Sequence, residues 1–330
     1  MSSDSFQVPV IQTNYAKILV EIFSEYGFDV HKLLNESGLP ADLFQSNSDF
    51  VPSDSIKRLI YLTSSQLKIS NFVELLRLAL QQRIIPHILH QFAEYDTIGA
   101  ALKDVNRIFV NDTPSSRVHF RQEHGMSWFC VDSPHKEGLY PEWTELFPIV
   151  YIQELMKLLT NSDWQFESVK LQNTDIDIIQ SALPKSCQVF VGHEYTAVLI
   201  PQSLLDKEIH LPKSALSPKP AIVEWHTSFT DSVFEVLKPY VKERNLTIED
   251  AAELLNFSVR TLQRKLKNEQ SSFRKIKENL MFSVACELME EGHSLTYISS
   301  QLGYNNISHF SRAFKRVSGL TPRLYQKSIT

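Results

Sequence analysis

The side chains best equipped for chemistry lie in two clusters near the C-terminus, and the chemistry is hydrogen bonding to nucleic acid. The first cluster holds Ser258, Val259, Arg260, Gln263, Arg264 and Lys267. The second holds Asn305, Asn306, Ser308, His309, Arg312, Lys315 and Arg316. Arginine, glutamine and asparagine offer the paired donors and acceptors that match base edges, while lysine and arginine also neutralise phosphate. Nothing comparable points to catalysis: the sequence has no GxSxG, no HExxH and no GxxxxGK[ST].

The two clusters belong to an internal repeat. Residues 251–258 and 261–267 parallel residues 298–305 and 308–315. Leu255 matches Leu302, Phe257 matches Tyr304, Leu262 matches Phe310, Arg264 matches Arg312 and Lys267 matches Lys315. Each copy reads as a helix, a tight turn and a second, basic helix, an arrangement that places one helix in a DNA major groove. In the first copy Thr247 and Asp250 resemble a capping box, Ile248, Ala251, Ala252 and Leu255 pack inward, and Ser258 caps the next helix. Leu262 and Leu266 take the buried side of that helix and leave Val259, Arg260, Gln263, Arg264 and Lys267 outside.

In the second copy Ser294 is the cap, Leu295, Ile298 and Leu302 are the buried face, and Gly303 ends the helix in the left-handed conformation. Asn305 or Asn306 caps the basic helix, which buries Ile307, Phe310, Phe314 and Val317. Its outer side carries Asn306, Ser308, His309, Arg312, Lys315 and Arg316, with one more residue between turn and helix than in the first copy. Between the copies Phe273, Ile276, Leu280, Val284 and Leu288 continue at helical spacing. A connector of about 19 residues, about 28 Å long, could hold the basic helices about one DNA turn, ~34 Å, apart.

These residues resemble the signature of AraC/XylS-type transcription regulators over roughly residues 225–328. The resemblance rests on Ser258–Leu266 in the first copy. In the second it rests on Leu302-Gly303-Tyr304, Phe310–Arg316 and Gly319-Leu320-Thr321-Pro322. It implies an all-α C-terminal domain with two helix-turn-helix subdomains joined by a linker helix, binding promoter DNA asymmetrically. Met281 stands where the linker helix often has Arg, Ser299 where Ala is usual, and Gln326 where the closing motif usually has Arg. The contacts made by those arginines are therefore in question.

The elements upstream are of mixed type. Tyr15, Ile18, Leu19, Ile22 and Phe23 fall at helical spacing, closed by Gly27, and a short helix at Leu33-Leu34 ends at Gly38 and Pro40. Further helical faces are Ile56/Leu59/Ile60/Thr63, Phe72/Leu75/Leu76/Ala79/Leu80 and Ile98/Leu102/Val105/Phe109. Residues 117–121 and 127–131 alternate around His124-Gly125 and read as a hairpin. A long helix follows around 142–159, with strands at 168–171, 187–191 and 197–200. The fold class is thus an α+β N-terminal domain, 1–210, and an all-α C-terminal domain, 221–330. The Pro-rich segment 211–220 lies between them.

Residues 14–210 also resemble, less specifically, the "arabinose-binding" type of N-terminal domain. The resemblance rests on Tyr26–Asp29, Ser37–Pro40 and Ile98–Leu102, with Glu74-Leu75 where Gly-Leu is common. It implies an effector-binding and dimerisation domain. Arg83, Arg107 and Arg121 could clamp a carboxylate effector, and Trp128, with Phe129, Trp143 and Phe147, could line an apolar pocket or the core. His87 and His90 sit at i, i+3 without an evident third ligand, so no metal or other cofactor is expected.

Composition agrees with this division. The net charge of the 330 residues is −5, yet residues 240–330 hold 14 Lys+Arg against 9 Asp+Glu, leaving 19 basic and 29 acidic residues elsewhere. The basic end can meet phosphate while the acidic part stays off it. Three dispersed cysteines, Cys130, Cys187 and Cys286, fit reduced thiols and disfavour a zinc site. No apolar run suggests a membrane span, and the first residues lack the features of a secretory signal, so a cytoplasmic location is expected.

The sequence therefore reads as a regulator and not an enzyme, with promoter DNA, RNA polymerase, a small-molecule effector and a second copy as partners, and activation as the implied sign. Two alternatives stand beside it. One is a constitutive DNA-binding protein whose N-terminal domain only dimerises. The other is an enzyme domain targeted by the DNA-binding part.

Overall fold

The computed structural model describes residues 8–46, 48–113, 117–132, 141–212, 228–241 and 246–329. In chain order the elements begin with β1 (Val10–Gln12), α1 (Thr13–Glu25), α2 (Val30–Ser37), β2 (Phe50–Pro52), α3 (Ser53–Ser64), α4 (Ile69–Ala79), α5 (Ile85–Ile88), α6 (Ile98–Lys103) and α7 (Val105–Asp112). Then come β3 (Val118–Glu123), β4 (Met126–Val131), α8 (Pro141–Thr160), β5 (Ser168–Lys170), α9 (Asp177–Gln180), β6 (Gln188–Phe190), β7 (Thr196–Leu199) and α10 (Gln202–Leu205). The rest is helical: α11 (Phe229–Val241), α12 (Ile248–Leu254), α13 (Val259–Asn268), α14 (Phe273–Glu290), α15 (Leu295–Gln301), α16 (Ile307–Ser318) and α17 (Pro322–Ile329). The expected linker lies outside the described residues beyond Pro212, as does the side chain of Trp143.

Two compact units form, and neither is continuous in sequence. One comprises Asn14–Ser37 and Ser55–Val223; the other comprises Met1–Thr13, Gly38–Asp54 and Glu224–Thr330.

The first unit is the mixed one. Its sheet runs β3-β4-β7-β5-β6, antiparallel except for the parallel pair β5–β6. The hairpin expected around His124-Gly125 is β3–β4, with both turn residues at positive φ. Helix α8 supplies the core of this unit. It is buried along most of its length, with Ile149, Val150, Leu155, Met156 and Leu159 all inaccessible.

Polar residues on this buried helix have partners. Glu145 accepts hydrogen bonds from Gln172 N, Asn173 N and Thr196 Oγ1 at 2.6–3.0 Å. Glu154, fully buried, is met by Gln81 Nε2 at 2.5 Å and Arg77 Nε at 3.5 Å. Unpartnered, such a carboxylate would be costly in this interior.

Two helical expectations change. The face Ile98/Leu102/Val105/Phe109 is divided, because the chain leaves helical geometry at Asp104 and restarts as α7. The run beginning at α4 continues through a π-helical turn, Leu80–Ile84, into α5. Pro86 has no N–H to give to an i−4 carbonyl, and a widened turn just before it absorbs that loss.

The second unit is helical apart from a two-stranded ribbon. β1 pairs antiparallel with β2, Val10 opposite Pro52 and Gln12 opposite Phe50. Short apolar runs such as these carry too little periodicity to be read from sequence. The ribbon packs on α11: Val8, Val10 and Phe50 join Phe229, Val233, Val236, Leu237 and Tyr240 in one buried cluster. Tyr240 also donates from its hydroxyl to the carbonyl of Gly38 at 3.0 Å. The same cluster extends through Leu262, Leu266, Ile276, Leu280, Val284, Ile298, Phe310 and Phe314, so α11 to α16 share one core.

Candidate nucleic-acid interface

Two helix pairs in this unit repeat one geometry. In the first, Thr247 caps α12 through a capping box with Asp250, which returns a carboxylate to the Thr247 N–H at 2.8 Å. The helix closes with Phe257 N donating to Ala252 O and Asn256 N to Glu253 O, while Asn256 takes φ +54°. In the second pair Ser294 caps α15, Tyr304 N donates to Ser299 O and Gly303 N to Ser300 O, with Gly303 at φ +72°. Both helices thus end in the same left-handed, paired hydrogen-bond motif. Two residues, Asn256 and Phe257, separate the C-cap from the next N-cap in the first pair; three, Gly303 to Asn305, do so in the second.

The second helix of each pair is capped and amphipathic. Ser258 Oγ accepts from Thr261 N at 3.1 Å, and Asn306 Oδ1 from His309 N at 2.9 Å, which settles the choice between Asn305 and Asn306. Leu262 and Leu266 anchor α13, and Phe310 and Phe314 anchor α16. Arg260, Gln263, Arg264 and Lys267 are exposed on α13; Asn305, Ser308, His309, Arg312 and Lys315 are exposed on or just before α16.

Two side chains depart from expectation. Val259 is half-buried against the core and not on the outer side. Ile307, expected inside, is 42% exposed in the first turn of α16. Arg316 lies on the outer side as expected, and its guanidinium is also 2.9 Å from Glu278 of α14, which holds Arg274 at 3.0 Å.

The pairs are braced by neighbours. Glu269, at the end of α13, receives Phe229 N at 2.9 Å, Thr230 N at 2.8 Å and Ser228 Oγ at 3.0 Å, and so caps α11. Burial would raise the pKa of Glu269, but the hydrogen bonds from Thr230, Phe229 and Ser228 outweigh it and lower it. Lys265 lies over the Phe229 and Phe257 rings, 5.1 and 5.2 Å from their centres, and burial followed by the Arg264 charge lowers its pKa. Between the pairs, α14 is one unbroken helix of 18 residues, about 27 Å long. Of the three departures from the family pattern, Met281 accepts a contact from the Tyr304 hydroxyl at 3.8 Å, Ser299 is buried, and Gln326 Nε2 donates to His293 O at 3.3 Å.

The four expected effector residues separate into three places. Arg83 is tied to Glu21 and Glu25 at 3.0 and 2.9 Å, and Arg107 to Tyr95, Glu94 and Asp104. Arg121 and Trp128 are direct cross-strand partners on β3 and β4. Trp128 is buried at 1% exposure, beside the buried Phe129, while Phe147 packs against Tyr151. Lys170, Tyr195, Glu123 and His119 join Arg121 and Trp128 on that sheet face. Strand alternation at 119, 121 and 123 was the available signal for the β3 members.

A pair of short helices with a tight turn and a basic, capped second helix defines a helix-turn-helix DNA-binding fold. Residues 251–328 match the family model of the helix-turn-helix domain, and this part of the chain is of the AraC/XylS type. Over 82 residues the chain is 38% identical to an uncharacterized HTH-type transcriptional regulator of Mycobacterium bovis, covering 24% of each protein. Over 98 residues it is 34% identical to the HTH-type transcriptional regulator AdiY of Escherichia coli, covering 29% of this chain and 38% of AdiY. The matched segment thus spans well under half of these relatives. The crystal structure of the transcriptional regulator CdpR from Pseudomonas aeruginosa aligns over 96% of this chain and 99% of its own, at 17% identity and TM-score 0.38. No helix among the described residues is long and apolar enough to cross a membrane.

Proposed function

We propose that the protein is a sequence-specific DNA-binding transcription regulator, acting as an activator, in which a small-molecule effector bound by the mixed unit changes promoter binding or contact with RNA polymerase. The observation that carries this reading is the repeated, capped helix pair within a segment matching the helix-turn-helix family. The two pairs act as two helix-turn-helix subdomains, with α14 as the linker helix that fixes their separation.

The reading heads differ. α13 offers Arg260, Gln263, Arg264 and Lys267, with Ser258 at its start. α16 offers Ser308, His309, Arg312 and Lys315, with Asn305 and Asn306 at its start. Residues in the first turns meet base edges and the later basic ones meet phosphate. Two different heads on one rigid connector read a non-palindromic site per chain, and a homodimer would bind two such sites. The effector shifts the regulator by binding its two states unequally.

The test is genome-wide occupancy mapping of the full chain, followed by binding to the recovered sites at fixed salt. Enrichment of a bipartite, asymmetric motif is expected. Occupancy without any shared motif would contradict the reading.

A further inference from the structure

One face of the five-stranded sheet gathers polar and aromatic groups that the DNA-binding reading leaves unused. β3 contributes His119, Arg121 and Glu123 at alternate positions, β4 contributes Trp128 and Cys130, β5 contributes Lys170, and Tyr195 precedes β7. The carboxylate of Glu123 receives the Lys170 ammonium at 2.6 Å on one oxygen and the Tyr195 hydroxyl at 2.6 Å on the other. Lys170 Nζ lies 4.2 Å from the centre of the Trp128 ring, and the Arg121 guanidinium lies 4.9 Å from the centre of the Tyr195 ring.

Three features of this face point to a ligand. Arg121, exposed, makes no ion pair among the described residues, although it is mounted on an aromatic ring as a planar fork. Trp128 is buried, yet among the described residues its Nε1–H has no hydrogen-bond acceptor. His119 Nε2 is a second buried nitrogen without a partner among the described residues, while its Nδ1 lies 3.3 Å from Asp132. Burial holds the His119 ring below its ordinary pKa against the opposing charge of Asp132. Asp132 is thus the carboxylate facing Nδ1, and Nε2 is the ring nitrogen left for a ligand. Orphaned buried polar atoms cost stability and are rare unless something else meets them.

We propose that this face is the effector site and that it takes a small carboxylate carrying a hydroxyl group, whose carboxylate replaces that of Glu123 on Lys170 and Tyr195 beside Arg121. The proposal rests on the reading that the mixed unit senses a small molecule. Glu123 already shows that the site recognises a carboxylate. Hydrogen bonds from Lys170 and Tyr195 hold its pKa down at about 2, so it stays ionised and occupies the position as an internal competitor. It is the last residue of β3, next to the exposed His124-Gly125 turn, so its side chain can swing to solvent at the turn end of the hairpin. The ligand hydroxyl pairs with His119 Nε2, and its carbon body lies against Trp128 and Tyr195. Displacing Glu123 moves the Lys170 strap off Trp128 and alters the β3–β4 end of the sheet.

The test is thermal shift and tryptophan fluorescence of the full chain with 3-hydroxybenzoate, 4-hydroxybenzoate and mandelate, each against its neutral amide, together with deproteinised extract of the cells that make the protein. The acids are expected to stabilise the protein and the amides not. Arg121→Ala and Lys170→Ala should lose the response by about tenfold or more in affinity, while Glu123→Gln, which removes the competing charge, should tighten binding several-fold. A purely structural role for Glu123 would not make its loss improve binding. No shift by any of the acids on wild type or Glu123→Gln at millimolar concentration overturns the site, as does an equal shift in all variants. The extract separates the two readings: if it stabilises the chain while the acids do not, sensing stands and this site falls; if neither does, both fall.

Discussion

Single side chains tie the helices of the C-terminal unit together, and Glu269 shows how. One carboxylate at the end of α13 satisfies two backbone N–H groups and a hydroxyl at the start of α11. Glu269→Ala should lower the stability of the helical unit by about 1–3 kcal/mol, since it leaves those donors without their acceptor; denaturant melts measure this. Because the folded-state pKa lies below the ordinary glutamate value, that contribution is present above the unfolded pKa and is lost as pH falls through the folded one. Stability measured from pH 6 down to pH 3 should therefore drop more steeply in wild type than in Glu269→Gln.

The caps Thr247, Ser258, Ser294 and Asn306 were legible because a cap and the helix it serves are neighbours in sequence. Glu269 was not legible, because its partners lie 39 to 41 residues away. The same holds for the pairing of Arg316 with Glu278, which lie on different helices far apart in sequence.

At the scale of elements, that pair links α16 to α14. An ion pair with one half-exposed member contributes little to stability, about 0–1 kcal/mol, so its effect belongs to orientation. Arg316→Ala is expected to weaken operator binding less than Arg312→Ala, and to change the salt dependence by less than the loss of one full phosphate contact. Parallel salt titrations of the two variants check this.

The helix ends are a second element-scale determinant. Gly303 sits at φ +72°, and Gly303→Val should cost about 1–2 kcal/mol through left-handed strain, measured by thermal melting. Most of the strands and long helices were legible from period and turn residues, including the five-stranded sheet's hairpin. The β1–β2 ribbon, the break at Asp104 and the π-helical turn were not, because each is decided by packing or by a missing donor and not by periodicity.

For the whole molecule, the division into units differs from a simple cut in the chain. Residues 8–12 and 50–52 lie in the N-terminal part of the sequence, but Val8, Val10 and Phe50 complete the core around α11. Val10→Ala should therefore destabilise the helical unit by about 1–3 kcal/mol, seen by hydrogen exchange in α11. A fragment beginning at residue 221 should show faster exchange there than the full chain. The Pro-rich segment and the change from mixed to helical elements were visible in sequence; the return of the N-terminal ribbon to the helical unit was not, since nothing local marks it.

The central claim is that α13 and α16 are two unlike reading heads on one connector. Binding of full-length wild type, Arg264→Ala and Arg312→Ala to a mapped operator, at one salt concentration, tests it most directly. Each substitution should cost about 1–3 kcal/mol if its side chain reads a base, and each should relax preference in a different half of the bipartite site. Unchanged affinity in both variants, or loss confined to the same half-site, would contradict the account.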